Sequence, residues 1–127
     1  MGKYKMMKKP EQFRVETREE MRGGQGRVRI EHLWEPETEM KSANRMVSRL
    51  ILEPGSSIGA HRHEGEDEIF YILRGTAQVD DDGENAVLNA GDTILTGNAG
   101  HSIKNIGNDT LEVLAIITLH QNGTTTK

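Results

Sequence analysis

His61 and His63 stand two residues apart in Ala60-His61-Arg62-His63, a spacing that matters chemically if the backbone there is extended. Side chains on a strand alternate between faces, so residues two apart share one, and two imidazoles on one face can converge on a single ion. Two solvated histidines on a surface strand fit the same spacing, so the pair needs a third donor. Glu68 lies five residues beyond His63, and an odd separation turns it to the opposite face of an uninterrupted strand. The intervening Glu64-Gly65-Glu66-Asp67 offers a remedy, because a turn or bulge at Gly65 lets the chain re-enter the sheet with Glu68 pointing inward. The chain has no cysteine, which excludes thiolate ligands and disulfides together and leaves nitrogen and oxygen as donors.

Other side chains are expected to do less. His32 and His120 read as surface or interface residues, and Glu64, Glu66 and Asp67 as a solvated, charged loop. Phe70 and Ile72 share the parity of Glu68 and should line the same interior by packing alone. Strand parity lets Arg49 face the cavity and bind a substrate carboxylate, but an outward, solvated side chain is the favoured reading.

These residues must be positioned by short strands. From Arg27 onward, β-branched and aliphatic segments alternate with glycine-bearing turns every eight to twelve positions, which implies an antiparallel sandwich or barrel. Candidate strands are Arg27–Trp34, Arg45–Glu53, Ser57–His63, Asp67–Leu73, Thr76–Asp80, Asn85–Leu88, Thr93–Thr96, His101–Asn105 and Leu111–His120. Residues 1–26 read as a polar N-terminal arm with a helix-compatible stretch around Val15 to Met21. Residues 27–120 form the barrel, and 121–127 a polar C-terminal tail.

With the breaks placed, the chain resembles the cupin family. The family's first motif is Gly, five residues, His-x-His, three or four residues, Glu, six residues, Gly; Gly55, His61, His63, Glu68 and Gly75 match it. The second is Gly, five residues, Pro-x-Gly, two residues, His, three residues, Asn, and Gly91, His101 and Asn105 match it. Here Thr96-Gly97-Asn98-Ala99-Gly100 replaces the proline turn, and the interval from Gly91 to His101 is one residue short; the departure falls on the turn, not on the histidine. The resemblance spans roughly Arg45 to His120. It implies an all-β, double-stranded β-helix (a cupin or jelly-roll barrel), with a short N-terminal arm, holding one divalent metal through His61, His63, Glu68 and His101. A metal-free barrel with a polar interior is the alternative. Three imidazoles and one carboxylate suit manganese, iron, nickel, cobalt or zinc, and suit calcium or magnesium poorly.

Within the family the chain resembles small stand-alone, single-domain members often labelled oxalate-decarboxylase-like. This implies a metalloenzyme acting on a small oxygenated anionic metabolite, of decarboxylase, isomerase or dioxygenase type. A non-catalytic module that binds a small ligand or metal is the second reading. Four protein ligands on an octahedral ion would leave two adjacent positions, which favours a bidentate anion. The net charge is −4, with eight basic and four acidic side chains in residues 1–27 and eight basic and sixteen acidic beyond. That balance points to neither nucleic acid nor an anionic membrane as partner. The longest apolar run, Val113 to Ile117, is far short of the roughly 20 residues of a membrane span. We therefore expect a cytoplasmic protein, and a homodimer, because a lone sandwich exposes sheet edges that need cover.

Overall fold

The computed structural model describes residues 7–121. The first six residues of the basic arm, and the polar tail from 122 onward, lie outside the described residues. Eight strands follow in chain order: β1 (Arg14–Glu19), β2 (Arg27–Trp34), β3 (Asn44–Leu52), β4 (Ser57–Arg74), β5 (Thr76–Asp81), β6 (Glu84–Asn89), β7 (Thr93–Asn105) and β8 (Leu111–Leu119). A one-turn helix, α1 (Pro36–Glu39), links β2 to β3, and a single 3-10 turn, Met21–Gly23, links β1 to β2. All ladders are antiparallel and join into one sheet in the order β1-β2-β3-β8-β4-β7-β5-β6.

The sheet curls so that strands far apart in that order share one core. Val28 and Ile30 of β2, Leu50 and Leu52 of β3, and Phe70 and Ile72 of β4 pack with Ala77 and Val79 of β5, Ile103 of β7 and Val113 of β8. Period-two alternation explains which residues enter it: along β8, Leu111, Val113, Ala115 and Ile117 are buried, and the residues between them are half-buried.

The structure changes two readings of the sequence. The stretch Val15 to Met21 is not helical: Arg14–Glu19 is an extended edge strand paired with β2, with Glu16 opposite Ile30. Its β-branched Val15 and Thr17 alternate with charged residues, a period-two pattern, and the ladder with β2 satisfies backbone groups that an isolated short helix would leave to water. The Arg14–Glu19 part of the arm thus pairs within its own chain. Second, Ser57–His63 and Asp67–Leu73 fuse into β4, and Thr93–Thr96 and His101–Asn105 fuse into β7.

The fused strands carry facing irregularities that set the interior. In β4 the buried positions change from His63 to Glu66, Glu68, Phe70 and Ile72, so the inward parity switches across Glu64-Gly65, where Gly65 has φ of 74°. Opposite, β7 turns Ile94 and Thr96 inward before the irregularity and His101, Ile103 and Asn105 after it, with Asn98 at φ 51°. The register between the strands shifts at this point, and the Gly65 amide donates to the Asn98 side-chain oxygen at 2.9 Å. Paired bulges therefore occupy the stretch where the family motif carries its proline turn.

Candidate metal centre

His61, His63 and Glu68 come from β4 and His101 from β7, where His101 is the register partner of His61 and Glu68 that of Thr96. The parity switch at Gly65 returns Glu68 to the histidine face. The four residues form the only group of three or more histidine and acidic donors among the described residues, with ligand atoms within 4.8 Å of one another. His63, Glu68 and His101 are buried and His61 is half-buried. The Nε2 atoms of His63 and His101 are 3.1 Å apart, as are those of His101 and His61. Glu68 Oε1 lies 2.7 Å from His63 Nε2 and 3.1 Å from His101 Nε2. Donors at ~2.1 Å from a common ion are about 3.0 Å apart when they subtend a right angle, so the spacing fits a single first-row cation.

The far side of each ring shows why these nitrogens face inward bare. His61 Nδ1 lies 2.8 Å from the Gly59 carbonyl oxygen, which can only accept, so Nδ1 carries the proton. His63 Nδ1 donates to the Glu66 carboxylate at 2.5 Å. His101 Nδ1 donates to Thr96 Oγ1 at 3.0 Å, because that hydroxyl donates its own proton to Asp81 at 2.9 Å. With every Nδ1 protonated, each neutral ring turns a lone pair toward the others and toward Glu68. That arrangement is repulsive until a cation or a proton enters, which is the signature of metal-ligand histidines with their outer partners in place.

The electrostatics agree. Burial pushes the Glu68 carboxyl up, but a proton taken up at His101 or His63 Nε2 in place of an ion is donated to it, and these hydrogen bonds outweigh burial and hold the group below its usual range as a carboxylate. The hydrogen bond to Glu68 raises the His63 pKa, whereas burial lowers that of His61 despite its bond to Gly59. Glu66 is held down to about 2, chiefly by the Arg45 guanidinium, whose Nε and Nη2 each donate at 2.8 Å. Phe70 stacks on His101 with centroids 4.8 Å apart and planes 8° from parallel, fixing the ring's tilt.

Sequence reasoning missed several supporting residues. Glu66 is not part of a solvated loop: it is 8% exposed and links Arg45 to His63. Its three-residue offset from His63 was the available signal, obscured by the acidic run around it. Thr96 reaches His101 across the bulge in their shared strand and Asp81 reaches Thr96 from β5 through the sheet, so neither gave one. Glu64 is exposed as expected, while Asp67 accepts from His120 at 2.9 Å, which keeps His120 outside the donor group. His32 is also outside it, but buried, with Nδ1 2.9 Å from Ser48 Oγ and Nε2 2.6 Å from Glu16. Arg49 points outward and pairs with Glu31 and Glu112.

Three of the donors, His61, His63 and Glu68, face a cavity of about 100 Å³, walled by Ile30, Leu50 and Phe70 and rimmed by arginines. The family model for the cupin domain matches residues 48–117, which contain all four donors and both facing bulges. The sequence is 47% identical over 100 residues to the oxalate-binding protein of Thermotoga maritima, covering 78% of this chain and 82% of the relative. A solved structure described as a predicted oxalate decarboxylase, also from Thermotoga maritima, superposes with a TM-score of 0.84 at 43% identity, over 90% of this chain and 99% of that one. An RmlC-like cupin from Shewanella frigidimarina shares the fold at a TM-score of 0.67 and 18% identity, over 96% and 97% of the two chains. Strand order, facing bulges, sequence match and superposition lead to one assignment: this chain belongs to the cupin family.

Proposed function

We propose that this chain is a divalent-metal cupin whose ion is held by His61, His63, Glu68 and His101 and whose substrate is a small oxygenated anion. The observation that carries the reading is the convergence of three bare imidazole nitrogens and one carboxylate, with His61, His63 and Glu68 facing a small cavity that arginines also line. A 150 Å³ cavity accommodates a benzene ring, so about 100 Å³ suits a ligand smaller than benzene. Two- and three-carbon carboxylic acids are of that size. The names borne by the Thermotoga maritima proteins, oxalate-binding and predicted oxalate decarboxylase, support the same class.

A divalent ion here supplies Lewis-acid polarisation of a bound carboxylate or carbonyl oxygen, in decarboxylase, isomerase or dioxygenase chemistry. The protein's own part is to orient and to exclude water. Gly59, Glu66 and Thr96 fix the three rings, Glu68 brings one negative charge, and Ile30, Leu50 and Phe70 keep the cavity wall apolar, which strengthens the charge interactions inside. Manganese, iron, nickel, cobalt and zinc all suit the donor set. We place this activity in a cytoplasmic homodimer. Among the described residues no helix is long and apolar enough to cross a membrane.

The test is metal analysis of protein expressed with these metals, followed by calorimetry with oxalate, glycolate and pyruvate and an assay for carbon dioxide release from oxalate. Binding with turnover supports an enzyme. Binding without turnover favours the second reading, a non-catalytic module, for which the name oxalate-binding protein of the 47% identical relative speaks. Metal content below about a tenth of an equivalent, or no binding of any acid at millimolar concentration, would sink the proposal.

A further inference from the structure

Three arginines line the cavity that holds the metal donors: Arg18, Arg22 and Arg45. Two are engaged. Arg18 pairs with Glu16 at 3.1 Å, and Arg45 is bound through two nitrogens to Glu66. Arg22 makes no ion pair and no side-chain hydrogen bond among the described residues, although it sits close enough to His61 for its charge to disfavour that imidazolium.

The backbone at this point is unusual. Arg22 has φ 56° and ψ 30° in the 3-10 turn Met21–Gly23, and Glu20 just before it has φ 51°. A long side chain in the left-handed region is uncommon and costs energy, so it persists where neighbouring contacts over-determine it. Those contacts are visible in β4. A Cβ on Gly59 would run into the Arg22 carbonyl oxygen, and one on Gly24 into the Ser57 carbonyl oxygen, so two glycines let the turn dock directly on the strand that bears His61. Further ties come from the Gln25 amide, which donates to Ser57 Oγ at 2.9 Å, and the Ser57 amide, which donates to the Gln25 carbonyl at 2.8 Å. Gly59 thus serves both sides: its carbonyl sets the His61 ring and its missing side chain admits the turn.

We propose that Arg22 is the anion-recognition residue of this cavity, presented by the docked turn to bind the outward oxygens of a metal-held dicarboxylate such as oxalate. The inference rests on the function proposed above and adds to it the discrimination between dianions and other chelators. A small dicarboxylate that meets an ion through two oxygens presents its other two outward, and an unpaired guanidinium matches that pair with two parallel hydrogen bonds.

Calorimetry on metal-loaded protein tests it with two probes. Oxalate offers outward oxygens; acetohydroxamate chelates through both of its oxygens and presents a methyl group. Arg22→Gln, and Arg22→Gly, which suits the left-handed backbone and so preserves the turn, are expected to weaken oxalate binding at least about tenfold while leaving metal content unchanged and acetohydroxamate within about twofold. Arg22→Lys should recover part of the loss, since it restores charge without the fork. Oxalate affinity within about twofold of wild type in both variants overturns the assignment, as does equal weakening of both probes. If the wild-type loaded protein binds neither probe, the parent proposal fails and Arg22's role falls with it, a result distinguishable because it needs no variant.

Discussion

At the scale of residues, the centre is governed by where three protons sit. Each imidazole keeps its Nδ1 proton because an acceptor outside the cluster holds it, and this exposes a lone pair at each Nε2. His61→Ala is expected to lose most of the bound metal by elemental analysis, whereas His120→Ala, whose ring engages Asp67 away from the cluster, should retain it. Glu66 acts one step further out. Glu66→Gln removes the charged acceptor of His63 Nδ1 and the partner of Arg45, and is expected to weaken metal binding about 10–100-fold. Glu64→Gln, at an exposed side chain, should leave it unchanged in a competition titration with a chromophoric chelator.

At the scale of elements, β4 and β7 carry the site and β1 roofs it. Glu16 of β1 lines the cavity, and the strand is tied down by Glu16 to His32 and by Arg14 to Glu35, at 2.8 Å from Nε. Both carboxyls are held below their ordinary value of 4.5, Glu16 chiefly by its hydrogen bond with His32 and Glu35 chiefly by that from Arg14. Carboxylates with depressed folded-state pKa values stabilise the fold above the unfolded value, and lose that contribution as pH falls through the folded one. The attachment of β1 is therefore intact above pH 4.5 and weakens below it. Hydrogen exchange compared between pH 6 and pH 3.5, corrected for intrinsic rates, should show protection lost from the β1 amides before those of β4 and β8. Loss in all three strands together would contradict it.

At the scale of the molecule, the single sheet ends in two edge strands, β1 and β6, and carries exposed apolar residues on the outer side of its middle strands. Ile69, Tyr71 and Leu73 of β4 and Leu95 of β7 are between 37% and 61% exposed, and Ile69 and Leu95 are register partners. An edge and an apolar outer face both gain from being covered. Light scattering is expected to give twice the 14.2 kDa chain mass over a wide concentration range; a constant monomeric mass would rule out the homodimer.

How much of this was legible depends on the range over which each feature is decided. The all-β class, the turns and the parity conflict between His63 and Glu68 are local, because side-chain alternation and glycine positions act over a few residues; Gly65 stood out as the remedy for that reason. The helix-compatible reading of Val15 to Met21 failed because such a short segment takes its structure from a partner, and β2 lies a dozen residues away. Asp81 gains its role only when β5 lies beside β7, and Glu66 and Thr96 gain theirs only once the bulges at Gly65 and Asn98 turn them back to His63 and His101 within their own strands. The sequence by itself determined which atoms could bind a cation and on which face of a strand they would stand. Only the tertiary structure decided which ring nitrogens face inward and which arginine at the rim is left unpaired: Gly59, Glu66, Thr96 and Glu16 stand two to five residues from the groups they hold, but they come within reach only where strand pairing and bulges fix the backbone, and Arg45 meets Glu66 across 21 residues.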